Sequence, residues 1–354
     1  MSGVVKKMAF NIDIGIDLGT CTTIIYSSMR GILLDEPSVV AIDTVTNEVI
    51  AAGSEALVML GRTHRGLNVV YPLDRGVISD FSLTEKMLQM FLNKALGNKI
   101  LKLRVVVCMP SNVTDIEQRA VIDAIMSSGA KRVVPIEESV AAAIGAGIDI
   151  SLPHGNMVID IGGGTTDIAI ISLNGIAVSD SIKVAGSSFD NDIIKYIRQK
   201  FNVLIGRNMA EIIKMTIGCV YPLPEALSME AKGRNLRTGL PQKFTITSSH
   251  VLEAVSDSAA EILTSVQHVL EKTPPELIGD VLNDGIILTG GGCLIKGMSQ
   301  MIKQGTGVDV ILDDNARKCV SIGTGESLKY INYLSESIYS YRTLLGASVP
   351  TSRS

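Results

Sequence analysis

The stretch Ile14-Gly15-Ile16-Asp17-Leu18-Gly19-Thr20-Cys21-Thr22-Thr23-Ile24-Ile25 has a counterpart at Met157-Val158-Ile159-Asp160-Ile161-Gly162-Gly163-Gly164-Thr165-Thr166-Asp167-Ile168. Each copy is an apolar run carrying an Asp, a glycine-containing turn with hydroxyls, and a second apolar run. The separation is far longer than the ~20–50 residues of a solenoid period. It predicts one β-hairpin repeated once in each of two similar halves, and the 354 residues suffice for two domains. Glycine suits such a turn because it accepts positive φ and lets backbone N–H groups come close to a ligand.

Helices and short strands are expected to fill the rest. Ser82-x-x-Glu85 and Thr114-x-x-Glu117 read as capping-box starts. Apolar residues follow at helical spacing: Met87, Leu88, Phe91 and Leu92 in one, Val121, Ile122 and Ile125 in the other. Amphipathic helical patterns recur over 189–202 and 257–272, and Gly145-Ala146-Gly147 reads as a helix C-cap. Arg104–Met109 and Gly285–Leu288 are apolar enough for buried central strands, which makes the class α/β. The segment 219–245, with Pro222, Pro224, Gly233, Gly239 and Pro241, reads as a smaller, turn-rich lobe.

Two hairpins that each offer an Asp followed by Gly and Thr form a natural phosphate clamp. Backbone amides and hydroxyls hold phosphate oxygens, and the carboxylates hold a hydrated Mg²⁺. A third cluster, Thr289-Gly290-Gly291-Gly292-Cys293-Leu294, offers bare backbone to a bulky group such as a nucleoside.

Several other functions lack their parts. Net charge is −4 with no long basic run, which argues against nucleic acid as a partner. The five cysteines form no C-x-x-C pair, so neither a disulfide framework nor a zinc site is indicated, and a reducing cytoplasmic setting is expected. No apolar run approaches the ~18 residues of a membrane span. G-x-x-x-x-G-K-S/T, a strand-linked G-x-G-x-x-G, H-E-x-x-H and G-x-S-x-G are all missing from the sequence.

The ordered set DLGT (17–20), DIGGGTTD (160–167) and LTGGG (288–292) resembles the actin, sugar-kinase and heat-shock chaperone ATPase superfamily. Within it, EPSVVAI (36–42), GVISDF (76–81), IEESVAAAIGAG (136–147), GNMVIDIGGGTTDIAIISLNGI (155–176), AKGRNLRTGLP (231–241) and LEKTPPEL (270–277) are similar to the bacterial actin family MreB, from about residue 10 to about residue 330. The resemblance implies an actin-like ATPase fold of two related ribonuclease-H-like domains, each with a small subdomain, around a nucleotide cleft. The implied division puts 1–33, 67–146 and 315–345 in the first large domain, with 34–66 as its lobe. It puts 147–182 and 246–314 in the second large domain, with 183–245 as its lobe, and leaves 346–354 as a tail.

By position in the family pattern, the cofactors are ATP and Mg²⁺. Asp17 and Asp160 are expected to hold the metal's water shell. Thr20, Cys21, Thr22, Gly162, Gly163, Gly164 and Thr165 are expected to line the phosphates. Glu211 and Lys214 match positions beside ribose and adenine, and Gly290, Gly291, Gly292 and Cys293 match the segment under the nucleoside. Without the family pattern, Glu211 and Lys214 read as an exposed i,i+3 ion pair. Glu138, the second of the Glu137-Glu138 pair, is expected to position the attacking water with help from the Thr165 hydroxyl. The sequence departs from the family pattern at Cys21-Thr22, usually Ala-Asn, at Ser139, usually Pro, and at Ser187, usually acidic.

The resemblance further implies a homopolymer of paired protofilaments on the inner face of an anionic cell membrane, supporting cell shape. Sister copies or shape-determining membrane proteins are implied partners. The family's membrane loop falls at Asn98–Lys102, where Ile100 and Leu101 lie between lysines. They read equally as a membrane contact or as the start of the buried strand that follows. The competing expectation is a soluble small-molecule kinase or chaperone-type ATPase on the same fold.

Overall fold

The computed structural model describes residues 12–97, 103–111 and 113–330. Both hairpins form, and each seeds a five-stranded sheet. The first sheet contains Ile12–Leu18 (β1), Thr22–Ser27 (β2), Gly31–Pro37 (β3), Leu103–Met109 (β4) and Ala130–Glu137 (β5). The second contains Asn156–Ile161 (β6), Thr166–Ser172 (β7), Gly175–Ile182 (β8), Ile286–Thr289 (β9) and Val310–Leu312 (β10). The spatial orders are β5-β4-β1-β2-β3 and β8-β7-β6-β9-β10. These are one topology used twice: three antiparallel strands joined by hairpins, then two parallel strands on the other side of the first.

Parallel neighbours need long crossovers, and helices supply them. Phe81–Leu96 precedes β4 and Asp115–Ser127 precedes β5, while Ser248–Lys272 and Pro275–Asp284 precede β9 and Met298–Thr306 precedes β10. Helices on both faces explain why β4 reads as an almost unbroken apolar run, buried at every position except Arg104. Thr114 caps its helix in a full capping box with Glu117, as expected. The other start is corrected: Asp80, not Ser82, is the N-cap of Phe81–Leu96, its side chain accepting from Leu83 N at 2.9 Å. An Asp one residue before a phenylalanine at the first helical position outcompetes a Ser already inside the first turn.

Both small lobes interrupt the chain at the same topological point, after the third strand of their sheet. Near the expected edges of the first lobe, β3 runs in the large sheet through Pro37, and Leu67–Val70 pairs with Val40–Asp43. In the second, Ser228–Asn235 pairs with Pro241–Thr247. Residues 331–345 of the first domain, the tail at 346–354, and Ile100 and Leu101 lie outside the described residues.

The two sheets share an apolar cluster. Val106 and Val134 from the first and Val158, Ala169 and Ile171 from the second pack around Ala141–Ala143 of helix Glu138–Gly145 and Val320 of helix Cys319–Glu326. Those two helices cross with their backbones in close approach, and Glu138 and Val320 from them line the cleft.

Candidate nucleotide cleft

The two turns face each other across a cleft of about 520 Å³. Each closes in the same way: Gly19 N donates to Thr22 O at 3.1 Å, and Gly162 N donates to Thr165 O at 2.9 Å. The first turn is pinned from behind, with Ser38 Oγ donating to Gly19 O at 2.6 Å and Gly76 N donating to Thr20 Oγ1 at 2.8 Å. The second is pinned by the start of helix Gly186–Phe201, where Ser187 N donates to Gly163 O at 2.8 Å. The turns nearly touch. A Cβ placed on Gly163 would lie 2.5 Å from Cys21 Sγ, and one on Gly164 would lie 2.3 Å from Thr20 Oγ1. Only glycine allows that approach.

Carboxyl groups line the floor. Asp17, Glu138 and Asp160 open onto the cleft, and Asp167 lies directly opposite Asp160 in the β6–β7 ladder. Burial, with little opposite charge nearby, pushes Asp17 up to about 6. Burial and then the neighbouring carboxylates push Glu138 and Asp160 well above the ordinary carboxylate range. The interaction between the Glu138 and Asp160 carboxyls raises Glu138 further and tempers the rise at Asp160. Burial also raises Asp167, against hydrogen bonds from Ser111 N and the Thr165 hydroxyl. Oδ1 of Asp160 is buried without any partner.

That orphaned oxygen is a fitting acceptor for a cation. Carboxylate oxygens are hard donors, the kind that hold a cation such as Mg²⁺ through one or two groups while it keeps several waters.

Most of the expected site residues converge. Asp17, Thr20, Cys21, Thr22, Glu138, Asp160, Gly162–Thr165, Glu211, Lys214 and Gly290–Gly292 all line the cleft. Cys293 does not. It is 2% exposed, its Sγ turns back to donate to Gly290 O at 2.8 Å, and Leu294 and Ile295 line the wall instead. A small apolar thiol at that point of a tight 3₁₀ turn is drawn into the core of the second domain. The exposed Glu211–Lys214 ion pair is also absent: Lys214 Nζ reaches Asp190 Oδ1 and Gly186 O, each at 2.9 Å.

Sequence reasoning missed Tyr71, Cys108, Asp190, Arg207 and Arg317, all of which line the cleft. Arg207 was findable, since 207, 211, 214 and 218 share one face of the helix Arg207–Ile217 and its C-cap. Arg317 Nη2 bonds Asp35 Oδ1 of β3 at 2.6 Å, a contact across 282 residues of chain that no local pattern announces.

The profile of the family described as MreB/Mbl protein matches residues 11–336. The chain belongs to the MreB/Mbl family. It is 46% identical over 323 residues to the cell shape-determining protein Mbl of Bacillus cereus, covering 91% of this chain and 97% of that one. It is 42% identical over 337 residues to the cell shape-determining protein MreB of Escherichia coli K12, covering 94% and 97%. The structure of MreB5 of Spiroplasma citri bound to ADP superposes with a TM-score of 0.87 at 37% identity, covering 94% of this chain and 99% of that one. The double helical filament of MamK, at 21% identity and a TM-score of 0.76, shares the fold. The fold of this MreB/Mbl member is thus actin-like. Among the described residues no helix is long and apolar enough to cross a membrane.

Proposed function

We propose that this protein binds ATP with Mg²⁺ in the cleft, hydrolyses it, and uses the cycle to control a cytoskeletal filament on the inner face of the cell membrane that supports cell shape. The observation that carries the reading is the pair of apposed glycine turns above a carboxylate floor containing the unpartnered Asp160 Oδ1. Relatives point the same way: the Spiroplasma citri MreB5 structures hold ADP and AMPPNP.

In this reading the turns at Thr20–Thr22 and Gly162–Thr165 grip the phosphates from both sides, and Gly290–Gly292 pass under the nucleoside. Lys214, steadied by Asp190, and Glu211 sit beside ribose and base. Mg²⁺, held through water by Asp17 and Asp160, would neutralise phosphate charge. A cation held there would favour the charged form of the floor carboxyls. The Glu138 carboxylate accepts a hydrogen bond from the attacking water, assisted by the Thr165 hydroxyl. Positioning and electrostatics supply most of the catalysis in such a transfer.

Self-assembly into paired protofilaments is the polymer this reading requires. Membrane contact through Ile100 and Leu101 is proposed from sequence alone, with anionic lipid as partner and avidity from the polymer. Liposome flotation of Ile100→Asp/Leu101→Asp tests it, and unchanged flotation removes the loop. The main test is sedimentation with phosphate release at rising protein concentration. A sharp critical concentration with ATP supports the filament; its absence together with phosphorylation of a small acceptor establishes a kinase instead.

A further inference from the structure

Tyr71, packed against the first small lobe, and Arg207, from the second, meet across the cleft. The Arg207 guanidinium lies over the Tyr71 ring, 4.5 Å from its centroid. Both side chains are half-buried, and both line the cleft.

Each is mounted firmly on its own side. Tyr71 directly follows strand Leu67–Val70 and packs on the buried cluster of Val39, Ala41, Ala51 and Ala56. Its successor Pro72 is tied to the first large domain, its carbonyl accepting from Ser79 N at 2.9 Å and Ser79 Oγ at 3.0 Å. Arg207 is the first residue of helix Arg207–Ile217, which Ala210, Ile213 and Ile217 anchor in the second domain's core. The same helix face presents Glu211 and Lys214 to the cleft. Any separation of the lobes moves these two platforms apart and must break the stack.

A cation over an aromatic face is worth most when partly desolvated, as here. It is the one arginine–aromatic stack among the described residues. Because both residues line the cleft, the stack spans it, and parting them widens the space around a bound molecule.

We propose that Tyr71 and Arg207 form a clasp across the cleft that holds it closed and slows the release of bound nucleotide. The inference rests on the nucleotide-binding reading above and adds to it the residues that set residence time. Tyr71 is a positioning residue in this account: it holds Arg207, and through it the helix bearing Glu211 and Lys214, over the cleft.

The test is stopped-flow release of a fluorescent N-methylanthraniloyl-ATP from the full-length protein, chased with excess ATP, at a protein concentration below assembly. Tyr71→Ala and Arg207→Ala are each expected to speed release about threefold to thirtyfold. Tyr71→Phe keeps the ring face and is expected to stay within about twofold of wild type. The double variant Tyr71→Ala/Arg207→Ala is expected to release no faster than the faster single variant, because both remove one interaction. Wild-type release by Tyr71→Ala, or multiplicative effects in the double variant, overturns the clasp and leaves the nucleotide reading standing. A wild-type protein that holds no labelled nucleotide overturns the nucleotide reading and the clasp with it. Matched thermal unfolding of Tyr71→Ala and Tyr71→Phe separates release from loss of fold.

Discussion

Asp160 and Asp167 stand directly opposite each other in the β6–β7 ladder, at the register position that Asp17 and Ile24 occupy in β1–β2. The duplication is thus exact in backbone and broken in chemistry: where the first half places an isoleucine, the second places another carboxyl group. Like charges directly opposite in a ladder repel. The burial of both explains why protons are held so tightly at this end of the cleft.

A pH dependence follows for the nucleotide-free protein. Asp17, at about 6, and Glu138, Asp160 and Asp167 all hold protons more strongly folded than unfolded. The folded state therefore binds more protons between the ordinary carboxylate range and the raised values, and stability falls as pH rises through that window. Differential scanning fluorimetry is expected to give a higher Tm at pH 5.5 than at pH 7.5. Saturating Mg²⁺ and ATP should flatten the difference, because a cation takes over the role of the protons. A flat or rising profile without nucleotide would contradict the electrostatics of the floor.

Much of this floor was legible in the sequence, for a physical reason. A turn that must bring backbone close to a ligand leaves glycines and hydroxyls in a fixed order, and a hairpin keeps its alternation over consecutive residues. The duplicated motif therefore exposed β1–β2 and β6–β7, and with them Asp17 and Asp160. Residues that reach the cleft from distant elements leave no such trace. Tyr71 looks like a strand-end aromatic, and Asp35 and Arg317 meet from positions 282 residues apart. Cys293 failed in the opposite direction: its sequence position beside three glycines said cleft, while its small apolar side chain went to the core.

Glu138 is expected to separate hydrolysis from binding. Glu138→Gln keeps the size and a hydrogen bond but cannot carry the carboxylate charge. Phosphate release at saturating ATP is expected to fall by about 10²-fold. Binding of the labelled nucleotide should stay near wild type, since the phosphate-gripping turns are untouched. A hydrolysis rate equal to wild type, with the fold intact, removes Glu138 from the mechanism.

Glu36 ties the first small lobe to its domain. It is 8% exposed, accepts from Ser54 N at 2.7 Å and Ser54 Oγ at 2.6 Å, and pairs with Lys94 of helix Phe81–Leu96. These hydrogen bonds outweigh its burial and hold its carboxyl below the usual range. Its contribution is thus present above the ordinary glutamate pKa and lost as pH falls through the lowered folded value. Glu36→Ala removes several charge-assisted bonds and is expected to cost about 2–3 kcal/mol in urea unfolding at pH 7. The cost should shrink in the acid range where wild type has also lost the charge.

The crossing below the cleft tolerates no side chain. A Cβ on Gly323 would lie 1.7 Å from Ala141 O, and one on Gly145 would lie 1.9 Å from Cys319 O. Both obstacles are backbone, which cannot rotate away. Gly323→Ala is therefore expected to force helices Glu138–Gly145 and Cys319–Glu326 apart and to destabilise by at least about 3 kcal/mol, near the upper end for overpacking. Because Glu138 begins one of these helices, any folded fraction should also lose hydrolysis more than binding. A Gly323→Ala protein with wild-type stability would show that the two helices have freedom that this packing denies them.

Cys21 offers a chemical probe of the site. Of the five cysteines, it alone is not buried, and it lies between the two turns where Gly163 approaches its sulfur. Burial raises its thiol pKa, with Arg207 and Lys214 only partly offsetting the rise. The thiolate fraction at neutral pH is therefore small, and alkylation should be slow but selective. Iodoacetamide at pH 8 is expected to modify one thiol per native chain, mapped by mass spectrometry to Cys21. The rate should climb with pH, and ATP with Mg²⁺ should suppress it, because phosphates filling the space between the turns cover the sulfur. The alkylated protein should then fail to bind labelled nucleotide, whereas Cys21→Ser should bind it and resist modification. Labelling of Cys21 at the same rate with and without nucleotide would mean that the phosphates do not lie between these turns.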